Sequence, residues 1–273
     1  MAILTLTTDI GQRDYLVGAI KGQFLGLLPT LTIADITHYL SPSNFPQAAY
    51  TCSNAFKYYP AGTYHFVIVN LFETTVKHLL VARHNGQFII CPDNGLLTMI
   101  TGQKPWELVT IAVNRQQTLL SISQLVANAV LAIENTGNLL SAGAPADTIV
   151  EKYPLRATVG PDWMEGQILF IDHFENVVIN ITREEFEEQR NGRNFKIMFK
   201  RNESIDTISD NYASVAESEI LAWFNAAGYL ELAIRNGNMA GLFGLRGFNE
   251  QLQQGMAGMD NKWFYQTVRV FFE

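Results

Sequence analysis

Residues 1–145 switch repeatedly between a period of two and a period of 3.6, and that alternation constrains the fold more than anything else in the chain. "AILTLTT" reads as a strand, and "DYLVGAIKGQFLGLLP" as a helix with one apolar face that ends before Pro29. "LTIADIT" is a second strand, followed by a helix over "FPQAAYTCSNAFKYY" with Pro46 in its first turn. "YHFVIVN" is a third. "HLLVARHNGQFIICPDNG" predicts a hairpin through His84-Asn85-Gly86, and "LLSISQLVANAVLAIENTG" a helix capped by Gly137. Strands separated by helices imply βαβ units, so the expectation is an α/β domain with a mainly parallel sheet.

The texture changes after residue 145. "SAGAPADTIVEKYPLRATVGPDW" (141–163) carries Pro145, Pro154 and Pro161 and reads as a connection. Beyond it, "EGQILFIDHFENVVINI", "NFKIMFK" and "WFYQTVRVFF" are strand-like, with helix confined to 183–190 and a short turn near 216–224. The predicted division is an N-terminal α/β domain at 1–145, a linker at 146–163, and a smaller C-terminal β-rich domain at 164–273.

A chain of 273 residues with 48% hydrophobic and 16% charged residues has material for a well-filled core. Its net charge of −7 argues against electrostatic capture of nucleic acid or an anionic membrane. Cys52 and Cys91, each in an apolar setting, predict buried reduced thiols, and neither has a second ligand nearby for zinc. Met1 runs straight into "AILTLTTD", with no cationic start and no long apolar segment, and no uninterrupted apolar run approaches a bilayer span. The expectation is a cytoplasmic protein with no membrane contact, no metal and no bound cofactor.

Several polar residues fall at strand ends, where α/β proteins gather ligands. Asp9, closing "TLTTDIG", is placed either to hold vicinal hydroxyls of a ribose or to cap the following helix. "DITH" leaves Asp35 and His38 at the next strand end, where a single histidine reads as a structural hydrogen-bonder. "CPDNGLLT" (91–98) is a tight turn in which Asn94-Gly95 supplies positive φ. In "IDHFENVVIN" (171–180), an extended chain would put Asp172, Phe174 and Asn176 on one face. Acid for an amine, ring for a base and amide for a base edge suit a nucleoside bearing an amino acid. The alternative is an edge strand with its polar residues outward. "GYLELAIRNGN" ends in an Asn236-Gly237 turn.

Taken in order, "TLTTDIG…DYLVGAIKG", "IADITH", "QAAY", "YYPAGT", "PDNGLLT", "IDHFENVVINI" and "GYLELAIRNGN" resemble the SAM hydroxide adenosyltransferases (SAM hydrolases), relatives of the SAM-dependent fluorinase and chlorinase. The likeness covers essentially the whole chain. It implies a large N-terminal α/β domain with a small C-terminal β-barrel-like domain, and a homotrimer whose sites lie between the N-terminal domain of one subunit and the C-terminal domain of the next. There a nucleophile attacks C5′ of SAM, held as a substrate, and expels methionine. By position, Asp9 would hold the ribose hydroxyls, Asp172 the methionine amine and Phe174 the adenine face. Asn176 and backbone near Asn236 would read the adenine edge.

Against that resemblance, "YHFVIVNLFETTVKH" (64–78) is altered. Hydrolases of the family resemble "VVDPGVGTxRR" here and carry a histidine in a later "TFHGRD"-like segment. This chain has Asn70 at the aspartate position, Phe72 and Thr74 for the glycines, Lys77 for the arginine, and Leu120 of "TLLSIS" (118–123) for the histidine. A neutral amide orients water but does not accept its proton. Lys77 keeps the charge but not the planar fork, and Leu120 forms no hydrogen bond. Ser121 falls where the halogenases place a serine beside halide, yet Glu73 nearby opposes anion capture. Ala226 and Ala227 stand where the family holds the methionine carboxylate with Ser or Arg. The expectation is a slow SAM hydrolase, with a catalytically lapsed adenosine- or SAM-binding trimer as the alternative.

Overall fold

A computed structural model describes residues 2–72, 76–114, 116–246 and 266–273. The chain divides into two compact units, Met1–Pro154 and Leu155–Glu273.

In the first unit, β1 (Ile3–Thr8), α1 (Leu16–Leu27), β2 (Thr32–Thr37), α2 (Phe45–Phe56) and β3 (Tyr64–Ile68) alternate as their periods predict. They are followed by β4 (His78–His84), β5 (Gln87–Pro92), α3 (Leu96–Thr101), β6 (Glu107–Ala112), α4 (Leu119–Thr136) and β7 (Ala144–Pro145). The seven strands order as β2-β1-β3-β5-β4-β6-β7. Pairs β1–β2, β1–β3 and β3–β5 are parallel, while β4–β5, β4–β6 and β6–β7 are antiparallel. The expected mainly parallel sheet is therefore corrected to a mixed one. The hairpin is the reason: Asn85 and Gly86 both adopt positive φ, closing a two-residue turn that sends β4 and β5 in opposite directions.

Alternation along the strands divides the side chains between two cores. Leu4, Leu6, Phe66, Ile68, Leu79, Val81 and Ile90 pack with α1 and α4 on one face. Val67, Val69, Leu80, Ala82, Ile89 and Cys91 pack with α2 and α3 on the other. α4 is long and apolar enough, by length and composition, to cross a membrane. Here its Ile122, Val126, Val130 and Ile133 are buried in the first core. α2 begins at Asn44, whose side chain accepts the Gln47 N–H at 3.0 Å, with Pro46 in the first turn. Gly137 caps α4 in the left-handed conformation.

The second unit holds β8 (Thr158–Val159), β9 (Trp163–Ile171), β10 (Val177–Thr182), α5 (Arg183–Arg190), β11 (Phe195–Lys200) and β12 (Glu203–Ile205). β13 (Ile220–Phe224), β14 (Tyr229–Ile234), α6 (Met239–Phe243) and β15 (Thr267–Phe272) complete its described elements. The main path runs β12-β11-β15-β9-β10-β14-β13, and its strand pairs are antiparallel. A bridge between Ile208 and Ala222 brings the two ends of that path together, so the sheet is nearly a closed barrel. The turn expected near 216–224 is confined to its first residues, because Ile220–Phe224 pairs with β14. α5 opens with a capping box, Thr182 and Glu185 bonding each other's backbone N–H. Residues 263–265 of the strand expected over "WFYQTVRVFF" lie outside the described residues.

His65, the second residue of β3, has no exposed surface. Its Nδ1 shares a 2.7 Å hydrogen bond with Thr5 Oγ1, and its ring stacks on Phe56 with centroids 3.6 Å apart. Burial pulls its pKa down to about 4, only partly offset by Gln87. The unfolded chain therefore binds a proton at this residue before the folded one does. Stability is full above about pH 6.5 and falls as pH drops toward about 4, by about 3 kcal/mol from this group alone. In thermal melts between pH 7 and pH 4, His65→Gln is expected to lose Tm less steeply with acid than the wild type. Parallel slopes would show that His65 is not responsible.

Candidate functional site

The carboxyl ends of β1, β2, β3 and β5 lie along one edge of the first sheet. β1 and β3 are locked together there. Asp9 N–H donates to Ile68 O at 3.1 Å, and Asp9 Oδ2 accepts the Asn70 N–H at 2.7 Å. Asn70 is 7% exposed and sits at φ +55°, a left-handed conformation that asparagine tolerates better than most residues. Its side-chain Nδ2 donates to Pro42 O at 2.8 Å. Asp9 is not the cap of α1; Asp14 Oδ1 takes the Leu16 N–H at 2.9 Å instead.

Beside Asp9, Thr8 Oγ1 bonds His38 Nδ1 at 2.9 Å, His38 Nε2 lies 3.2 Å from Asp35, and Asp35 meets Lys21 Nζ at 2.6 Å. His38 is 1% exposed, which fits the structural reading of that histidine. Burial opposes charge on Asp35, but Lys21 and His38 together hold its carboxyl below the usual value. On the other side, Asn94 Nδ2 donates to Val69 O at 3.0 Å, fastening the "PDNG" turn to the end of β3. Asp93 receives His78 Nε2 at 2.7 Å on Oδ2 and the Val150 N–H at 2.8 Å on Oδ1.

The edge thus brings Asp9 and Asn70 into direct contact. Lys77 is exposed just before β4, and its carbonyl accepts the Val113 N–H at 3.0 Å. Leu120 is half-buried against the first core, its carbonyl held by Gln23 at 2.9 Å. Ser121, exposed in the first turn of α4, donates its hydroxyl proton to Thr118 O at 2.8 Å. Glu73 and Thr74 lie outside the described residues. Cys52 and Cys91 are buried free thiols; burial pushes Cys52 up to about 12 and Cys91 further up. Among the described residues, no three His, Cys, Asp or Glu side chains are grouped to hold a metal.

In the second unit, Asp172, Phe174 and Asn176 do not share the face of an extended strand. They form the turn between β9 and β10, because Asp172 Oδ1 accepts both the Phe174 N–H at 2.9 Å and the Asn176 N–H at 2.8 Å. Glu175 at φ +63° completes the reversal. Phe174 is 71% exposed, whereas Asn176 is buried with its Nδ2 3.2 Å from Asp172 Oδ2. Asn176 Oδ1 has no hydrogen-bond partner among the described residues.

Next to this turn stands Glu231 on β14, which the sequence reading did not single out. It is 5% exposed, accepting Trp223 Nε1 and Asn225 Nδ2, both at 3.0 Å. Burial raises its pKa, with Asp172 adding to the shift and the Asn225, Trp223 and Asn176 side chains opposing it. Alternation in "YLELAI" puts Glu231 opposite the core residues Leu230 and Leu232, so it reads as outward, and its burial depends on Trp223 and Asn225 across the β13–β14 pairing. Asn236, at φ +55°, donates its N–H to Tyr212 Oη at 3.0 Å. Ala227 N–H is held by Asn225 Oδ1 at 3.0 Å in the turn between β13 and β14.

The SAM hydroxide adenosyltransferase N-terminal domain model matches residues 4–143, and the C-terminal domain model of the same family matches residues 166–250. The chain belongs to the SAM hydroxide adenosyltransferase family. It is 27% identical over 187 residues to the (R)-S-adenosyl-L-methionine hydrolase of Methanocaldococcus jannaschii, covering 67% of this chain and 68% of that one. It is 24% identical over 287 residues to the fluorinase of Actinopolyspora mzabensis, covering 89% and 94%. An uncharacterized conserved protein of Thermotoga maritima has a similar fold, with a TM-score of 0.79 at 20% identity over 99% of this chain and all of that one.

The Asp172 turn yields a direct test. Asp172→Ala leaves the Phe174 and Asn176 N–H groups without their acceptor and is expected to cost about 1–3 kcal/mol in denaturant melts. Asp172→Asn, which keeps an acceptor oxygen, is expected to recover most of that loss. Equal stability of all three proteins would show that the carboxylate does not hold the turn.

Proposed function

We propose that this member of the SAM hydroxide adenosyltransferase family hydrolyses S-adenosylmethionine by in-line attack of water on C5′, releasing adenosine and methionine. The observation that carries the reading is the Asp9–Asn70 contact at the carboxyl edge, within a chain matched to the family over both of its domains. In this reading Asp9 holds the ribose hydroxyls, and Asn70, rigid in its left-handed conformation, fixes the floor beneath C5′. Phe174 offers an exposed ring to the adenine, Asn176 and Asn236 take its edge, and Asp172 meets the amine. The assembly is a homotrimer with its sites between subunits.

Halide is a poor candidate for the nucleophile, because the Ser121 hydroxyl already donates to Thr118 O. A second reading, a ligand-binding protein without turnover, draws support from two observations. The Asn70 amide is tied to Pro42 O, and Leu120 packs against the core at the position the family gives to histidine.

Chromatography of SAM incubated with the purified protein separates the readings. Hydrolysis yields adenosine and methionine in equal amounts above the spontaneous background, and Asp9→Ala abolishes the yield. Adenosine binding without product supports the second reading, and a gain of turnover in Asn70→Asp/Lys77→Arg/Leu120→His would mark the wild type as a lapsed enzyme. Calorimetry adds a separate expectation from Ala226 and Ala227, which supply no charge for the methionine carboxylate: adenosine binds at least as tightly as SAM. Much tighter binding of SAM would refute that point.

A further inference from the structure

The altered motif leaves open which group takes the proton of the attacking water. Asn70 does not accept one, Leu120 has no polar atom, and a protonated lysine has no lone pair. His78 is a different case. Its Nε2 is bonded to Asp93 Oδ2 at 2.7 Å, so the carboxylate fixes the tautomer with the proton on Nε2 and the lone pair on Nδ1. Nδ1 has no hydrogen bond among the described residues, and the side chain is 28% exposed. Asp93 is held in turn by the Val150 N–H at 2.8 Å and is 9% exposed, so the orienting group is itself rigid.

The topology brings this pair to the edge that carries Asp9. β4 runs antiparallel to β5, so its first residue, His78, lies beside the last residues of β5. Asn94, adjacent to Asp93, is bonded to Val69 O, adjacent to Asn70. Period-two alternation puts His78 on the face of Leu80 and Ala82, and Asp93 on the face of Ile89 and Cys91, which is the α2/α3 side. Asp9 shares that side, since Leu4 and Leu6 turn to the α1/α4 core and the odd-numbered positions of β1 to the other face. β1 and β4 are three strands apart, about 14 Å at ordinary spacing, room for a pentose and one water between two hydrogen-bonding side chains.

We infer that His78, oriented by Asp93, is the general base of this enzyme, standing in for the carboxylate and histidine that the family motif places elsewhere; the inference rests on the SAM-hydrolase reading. Nδ1 takes a proton from water as the oxygen lone pair forms the C5′–O bond. The C5′–S bond breaks with its electron pair passing to the sulfonium sulfur, which becomes the neutral thioether of methionine. The imidazolium then returns its proton to solvent. Asp93 acts through the imidazole as a positioning residue. Among the described residues around the pair, Lys77 precedes His78 and is exposed, Ala112 pairs with His78 from β6, the Cys91 thiol lies near Asp93, and the Lys152 stem lies over Gly95, two residues beyond Asp93.

The alternative role for the pair is a clasp between β4 and β5, and the test is built to separate the two. His78→Gln keeps an N–H donor for Asp93 but has no basic nitrogen. His78→Ala opens a space that free imidazole fills. The expected results are a fall in adenosine formation of about 10²-fold or more in both variants, an unchanged KM for SAM, and loss of the acid limb of the pH–rate profile. Imidazole added to His78→Ala restores turnover in proportion to its concentration. Wild-type hydrolysis with an unaltered rate and pH profile in His78→Gln overturns the base and leaves the hydrolase reading standing. So does a slow His78→Ala that imidazole does not rescue. Absence of wild-type product above background, with adenosine still bound, overturns the hydrolase reading and the base with it.

Discussion

A carboxylate accepting one backbone N–H shapes the working edge of the first unit. Asp9 ends β1, Asn70 follows β3, and the 2.7 Å bond between them closes the gap where two parallel strands would otherwise splay. The chain at Asn70 is left-handed where it meets that bond, and the next residue, Leu71, is buried in the α1/α4 core. The Asn94–Val69 bond repeats the device one strand further on, and the Thr8–His38–Asp35–Lys21 chain repeats it on the opposite side. The edge is therefore a row of polar cross-links between strand ends, and its rigidity comes from the same side chains that would meet a ligand.

Much of the fold was legible in the sequence because local periodicity and turn chemistry agree. Asn85-Gly86 marked the hairpin, Gly137 the end of α4, and Pro46 the start of α2. Sheet direction was harder to read. An apolar run such as "HLLVARH" looks the same whether its neighbour is parallel or antiparallel, so only the turn before β5 reveals the reversal. The "IDHFEN" stretch misled for a related reason. Its alternation of polar and apolar residues fits a strand, yet an aspartate with N–H groups two and four residues ahead prefers to close a turn.

The polar contacts that matter most were invisible to local reading. His78 and Asp93 are 15 residues apart and meet only because β4 doubles back on β5. Glu231 gains its role from Trp223 and Asn225 across a β13–β14 pairing that no short motif encodes. Asn70 shows the converse: its side chain suggested an altered catalytic group, while its observed bonds are to a carbonyl and a neighbouring carboxylate.

Among its described residues, the connection between β3 and β4 is held by Asn94 at Val69 O, by Asn70 at Asp9 and at Pro42 O, and by Val113 at Lys77 O. Strand pairing on either side passes through β5 and β6. The register of both strands is therefore set by partners that lie outside the connection. The most altered stretch of the chain thus joins two strands that take their alignment from elsewhere in the sheet, and a change of chemistry there need not be a change of architecture.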